Sequence, residues 1–159
     1  MTRFAELLRA LTSGAVDFIV VGGVAVAHGS PRSTQRVDVV YSRAHENLSR
    51  LVLALGPYQP YLRDAPPGLP FRFDVETLSA GLNFTLTTTD LGWIDLLGEI
   101  VGGGRYEDLV AHSVQIEAFG LRCPILDLET LIRTKRAAGR PKDFEVLAEL
   151  EALRERAKE

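Results

Sequence analysis

Asp17–Tyr41 reads DFIVVGGVAVAHGSPRSTQRVDVVY, and the reading of the whole chain turns on it. Asp17-Phe18-Ile19-Val20-Val21 is a β-rich apolar run that Gly22-Gly23 stops. Val24–His28 follows as a short helix ending at Gly29, and Val37–Tyr41 forms a second β run. Glycines at a strand-to-helix turn let backbone N–H groups approach a phosphate, and a helix N-terminus favours the anion. Ser30 and Thr34 can add hydroxyl donors, and Arg32 offers the planar fork suited to phosphate. Two common phosphate-site patterns do not fit. A P-loop needs a lysine after its glycines, and neither glycine cluster has one. A dinucleotide fingerprint needs a third glycine and an acid at the far end of the second strand, whereas Asp38 stands at that strand's start.

Working outward, Phe4, Leu7, Leu8 and Leu11 at helical spacing predict an opening helix that ends near Ser13-Gly14. Leu48–Leu55 reads as a helix stopped by Gly56-Pro57, and the proline-rich stretch Pro57–Pro70 as an excursion. Phe71–Phe73, Leu82–Thr87 and Gly92–Leu97 read as strands, the last two paired as a hairpin around Thr89-Asp90. Gly102-Gly103-Gly104 reads as a flexible link into a short helix near Tyr106. Val114–Ala118 and Arg122–Ile125 predict a hairpin through Phe119-Gly120. Asp127 is placed to cap a helix Leu128–Ala138 that Gly139 closes, and Pro141 suits the first turn of a last helix. The order predicts an α/β (α+β) domain with a mixed sheet.

The chain has 159 residues, enough for one domain: residues 1–125 as a core of sheet and helices, 126–159 as a helical part. A net charge of −3 argues against a dominant non-specific grip on nucleic acid. One local basic run stands out, LIRTKRAAGRPK, with Arg133, Lys135, Arg136, Arg140 and Lys142. Cys123 is the only cysteine, which excludes an intramolecular disulfide and reads as a buried, inert thiol. Met1–Arg9 lacks the layout of a signal peptide, and Phe18–Ala27 is too short to span a bilayer. The expectation is a cytoplasmic protein with no membrane partner.

Val21-Gly22-Gly23, then Gly29-Ser30-x-Arg32-x-Thr34, then Asp38 resembles the nucleotidyltransferase superfamily, in particular its small bacterial branch of AbiEii-type toxins and minimal nucleotidyltransferases. Two further blocks follow in the family's order. Asn83–Leu86 with Gly92–Leu97 looks like the strand carrying a third carboxylate, and Leu131-Ile132 with Lys135–Asp143 looks like the C-terminal helical signature.

The resemblance implies a polymerase-beta-like fold, a mixed central sheet flanked by helices with further helices at the C-terminus. It also implies transfer of a nucleoside monophosphate from an NTP to a hydroxyl of a protein, an RNA or a small molecule. That reaction uses two magnesium ions to steady the attacking and leaving oxygens. The family holds them with Asp-x-Asp on one strand, both side chains on one face, and a third acid on a neighbouring strand. By position Asp38 is the second acid and Asp95 the third. Gly22, Gly23 and Ser30 would hold the triphosphate, Ser30 beside the reacting centre, while Arg32, Thr34 and Lys135 would meet phosphate charge.

The chain departs from the pattern at the first acid, where Arg36-Val37-Asp38 replaces Asp-x-Asp. Arg36 should project beside Asp38, into the place of a metal, and pair with Asp38 or Asp95. Each pair of unit charges is worth about 4 kcal/mol at about 4 Å and an effective dielectric near 20, so a divalent ion would meet strong repulsion. Either the lineage has altered its catalysis or an active parent has been substituted. Two functions of different class follow: a nucleotidyltransferase impaired by Arg36, or a catalytically silent binding or regulatory module of the same fold. Either is compatible with a toxin paired with an antitoxin. Asp74 reads as a solvated or capping acid, Asp90 as a turn residue, Asp143 as a helix-start acid, and His28 and His45 as surface or helix-end histidines.

Overall fold

A computed structural model describes residues 2–22, 36–118 and 120–158. In chain order its regular elements are α1 (Phe4–Ser13), β1 (Phe18–Gly22), β2 (Arg36–Tyr41), α2 (His45–Leu55), β3 (Tyr61–Leu62), α3 (Val75–Ala80), β4 (Asn83–Thr88) and β5 (Gly92–Leu97). Then come β6 (Glu99–Ile100), β7 (Gly104–Arg105), α4 (Tyr106–Leu109), β8 (Ser113–Ala118), β9 (Leu121–Leu126), α5 (Leu128–Ala138) and α6 (Pro141–Ala157). The expected helix Val24–His28 lies outside the described residues.

Among the described residues seven strands form one mixed sheet in the order β3-β4-β5-β2-β1-β9-β8. β2 runs parallel to β5 and antiparallel to β1, which in turn runs parallel to β9. The expected hairpins β4–β5 and β8–β9 are both antiparallel. The sheet is thus α/β with mixed pairing and helices flanking it.

The apolar run of β2 explains its central place. Val37 and Val39 are fully buried and alternate with Arg36 and Asp38, which therefore face the other side of the sheet. α1 buries Leu7, Leu8 and Leu11 against the core, and α2 buries Leu48, Leu51 and Leu55. Asn47 on α2 is also fully buried. Its Oδ1 accepts from the Asp17 N–H at 2.7 Å, while its Nδ2 donates to Ser42 O at 2.8 Å and Asp17 O at 3.1 Å. One amide side chain thereby ties the start of β1, the end of β2 and α2 together.

The C-terminal helices begin as their sequence predicts. Asp127 accepts from the Thr130 N–H at 2.8 Å, and Gly139 closes α5 in the left-handed region at φ 64°. Pro141 stands in the first turn of α6. Cys123 is buried in β9.

Two expectations are corrected. Phe71–Phe73 is irregular backbone rather than a strand, because Asp74 immediately caps α3, accepting from the Thr77 N–H at 2.8 Å. Gly102-Gly103-Gly104 is no loose link: Gly102 and Gly103 lie in the turn of the β6–β7 hairpin and Gly104 opens β7. Gly102 and Gly104 take φ of 78° and 90°, and a Cβ on Gly102 would press against Ala137 of α5.

Candidate active site

Asp38 on β2 and Asp95 on β5 are register partners on adjacent parallel strands. Arg36 is opposite Trp93 in the same register, so Arg36, Asp38, Trp93 and Asp95 project from one face of two neighbouring strands. Arg36 Nε lies 3.1 Å from Asp38 Oδ1 and 3.6 Å from Asp95 Oδ2. A single guanidinium therefore bridges the two carboxylates. Asp38 Oδ1 is buried, with Arg36 Nε as its ion-pair partner.

Asp95 has a second cation. Arg63, just after β3, donates from Nη2 to Asp95 Oδ1 at 2.7 Å and to Leu86 O at 2.8 Å. Its guanidinium lies 4.7 Å from the centre of the Trp93 ring, within cation–π range. The Arg63 side chain is only 7% exposed and that of Asp95 12%, so this pair is largely withdrawn from water. Burial pushes the Asp38 carboxyl up, the Arg36 charge pulls it down and the Asp95 charge pushes it up again; the net is above the ordinary carboxylate value.

Asp38 also lines a cleft of about 290 Å³ with Val21, Gly22, Leu131, Lys135 and Arg140. Gly22 has a steric reason to be glycine. The pairing of β1 with β2 is irregular between Val20 and Gly22, and Gly22 comes opposite Asp38. A Cβ built on it would collide with the Asp38 side chain.

Across the cleft, Lys135 of α5 and Arg140 at the head of α6 meet on Asp143, a residue only 1% exposed. Arg140 Nε donates to Asp143 Oδ2 at 2.7 Å and Arg140 Nη2 to Oδ1 at 3.2 Å, while Lys135 Nζ is 3.6 Å from Oδ1. Burial pushes the Asp143 carboxyl up, but the side-chain and backbone hydrogen bonds from Arg140 and the charge of Lys135 outweigh it, and the group sits below its ordinary value. The rest of the basic run does not converge on the cleft. Arg136 pairs with Glu151 at 2.5 Å, and Arg133 and Lys142 are exposed.

Of the sequence-predicted site residues, the structure brings Gly22, Asp38 and Lys135 onto one cleft and sets Asp95 beside Asp38. Gly23, Ser30, Arg32 and Thr34 lie outside the described residues. Arg63 escaped the sequence reading because it sits in the proline-rich excursion, with no periodicity to aim it at Asp95. Asp143 was read only as a helix-start acid; its burial under two cations is a tertiary fact.

The described residues do not fit a pair of magnesium ions. Among them no three carboxylate, histidine or cysteine side chains cluster as metal ligands. The two acids that do meet are occupied by Arg36 and Arg63, which supply the positive charge an ion would bring. No helix among the described residues is long and apolar enough to cross a membrane.

The mixed sheet with its flanking helices is the nucleotidyltransferase fold. The chain is similar to the lincosamide antibiotic adenylyltransferase LnuA, whose structure was solved with lincomycin bound, at 14% identity and a TM-score of 0.60 over 96% of this chain and 98% of that one. It is similar to a Thermotoga maritima protein described as a nucleotidyltransferase, at 16% identity and a TM-score of 0.58 over 94% of each chain. An antigenic nucleotidyltransferase-like protein from Paracoccidioides brasiliensis matches at 16% identity and a TM-score of 0.56, over 94% of this chain and 72% of that one. No family model and no curated protein matches the sequence.

Proposed function

We propose that the cleft binds a nucleoside triphosphate and that the chain is built for nucleotidyl transfer, with the transfer step curtailed by Arg36. The observation that carries this reading is the in-register pair Asp38 and Asp95, opening toward a glycine edge on one side and Lys135 with Arg140 on the other. In the reaction an acceptor hydroxyl oxygen bonds to the α-phosphorus, the bond to the oxygen bridging to the β-phosphorus breaks, and pyrophosphate leaves. The hydroxyl proton goes to a base or to water. Gly22 gives the phosphates close access to backbone, and Lys135 and Arg140 meet their charge. The acceptor class is a hydroxyl of a protein, an RNA or a small molecule. The basic run divides between the cleft and the Arg136–Glu151 pair, which favours a protein or small-molecule hydroxyl over a long RNA groove.

A second reading has its own support: a nucleotide-binding module without turnover. The bridge from Arg36 to both carboxylates favours it. In either case a toxin role is tested by co-purification of an antitoxin from the native host.

The deciding experiment compares this chain with its Arg36→Asp variant, using labelled NTP and magnesium and following both pyrophosphate release and label transfer. Turnover in the variant and little in the parent supports a transferase curtailed at position 36. If NTP binds to both and neither turns over, the binding module replaces it. If neither binds NTP, both readings fall.

A further inference from the structure

The residues around the cleft carry a charge pattern of their own. Arg36, Arg63, Lys135 and Arg140 face Asp38, Asp95 and Asp143, four cations against three carboxylates, so the described site holds one net positive charge. A site awaiting divalent ions carries the opposite balance, because unpaired carboxylates are what bring hard cations in. Here each carboxylate already has a cation within ion-pair distance.

Asp143 gives this balance a mechanical basis. It is almost wholly buried, yet charged, because Arg140 grips both of its oxygens and Lys135 approaches one of them. The Arg140 N–H closes the arrangement, donating to Oδ2 at 3.1 Å. An unpaired carboxylate so buried would be costly, so the two cations are held in place by it. Arg140 is still 54% exposed and Lys135 27%, leaving donors free to turn toward the cleft they line.

On the reading of the cleft as a nucleotide site, we infer that it takes the triphosphate as a metal-free polyanion. Lys135 and Arg140, clamped by the buried Asp143, supply the counter-charge, and Arg36 keeps magnesium from the carboxylates. Asp143 is a positioning residue, acting through the two cations.

The test measures binding of ATP and of inorganic tripolyphosphate to the full chain by calorimetry, once with EDTA and once with excess magnesium. Metal-free ATP and tripolyphosphate should bind at least as tightly as their magnesium complexes. Lys135→Ala and Arg140→Ala should each weaken metal-free binding about 10-fold, the order expected for one charge-assisted contact. Asp143→Asn should weaken it by a similar factor while the circular dichroism spectrum stays native. Arg36→Asp should reverse the preference, so that magnesium strengthens ATP binding. Binding that requires magnesium in the parent chain would overturn this inference and leave the nucleotide reading standing. Absence of binding under both conditions overturns the two together, and loss of native structure in Asp143→Asn leaves the lysine and arginine variants to decide.

Discussion

Asp38 leans over Gly22 so closely that no side chain larger than hydrogen can stand at position 22 without displacing it. The contact couples the edge of β1 to the carboxylate that faces the cleft. Gly22→Ala should therefore destabilise the fold by about 1–3 kcal/mol, as overpacking does, and should weaken nucleotide binding together with it. Removing the obstacle should recover part of the loss: in an Asp38→Gly background the cost of Gly22→Ala should shrink. A double-mutant cycle of urea melts measures this, and strictly additive costs would show that something other than Asp38 keeps the glycine.

Arg63 is the residue whose loss should be felt most around the site. It supplies the nearest cation to Asp95, and its guanidinium lies 4.7 Å from the centre of the Trp93 ring. Arg63→Ala strips a largely buried carboxylate of that partner, which costs about 3 kcal/mol. Arg63→Lys should recover only part, since an ammonium cannot both stack on the indole and reach Leu86 O and Asp95 together. Trp93 is the only tryptophan, so its fluorescence reports both stability and site. The alanine variant should shift emission to the red in the folded state. An unchanged spectrum would mean the stacking does not persist in solution.

The strands and the C-terminal helices were readable in the residues because their signals are local. The β-rich run Val37–Tyr41, the Thr89-Asp90 turn between β4 and β5, and the Asp127 cap with its Gly139 stop all act within a few positions. Phe71–Phe73 shows where this ends: two aromatics in alternation looked like a strand, but they pack against the core from irregular backbone. The glycine triplet misled for a related reason, since composition alone cannot tell a slack link from a turn set by positive φ and a close helix. For the site, Asp38 and Asp95 could be paired because motif order placed them. Arg36 could be paired with them too, since its spacing from Asp38 put it on the same face. Arg63 could not, because it arrives from an excursion, and neither could the joining of Lys135 and Arg140 on Asp143, which comes from the packing of α5 against α6.

Asn47 offers a test of the scaffold separate from the site. Its amide makes three hydrogen bonds in a fully buried position, and Asn47→Ala leaves the Asp17 and Ser42 backbone groups without it. The expected cost is about 2–3 kcal/mol, the range for stranded buried donors and acceptors. Because Asn47 holds the Asp17 end of β1 while the cleft is lined by Gly22 at its other end, nucleotide affinity of the folded fraction should hold. A loss of affinity at temperatures well below the melting midpoint would show that the β1–β2 junction also sets the cleft.

Asp143 should set part of the acid limb of stability. Its carboxyl is held below its ordinary value in the folded chain, while in the unfolded chain it titrates near about 4. The unfolded state therefore binds the proton more readily, and stability falls as pH drops from about 4 through the folded value. Above about 4 the contribution is present in full. Asp38 works in the opposite sense: its folded value is raised, so it withdraws stability as pH climbs through the window just above about 4. Asp143→Asn deletes the first effect and keeps the second. The gap in melting midpoint between parent and variant should be widest near neutral pH and should close as the solution is acidified below about 4. A gap that stays constant from roughly pH 3 to 7 would mean that Asp143 contributes as a hydrogen-bond acceptor alone and not as the charge that holds Lys135 and Arg140.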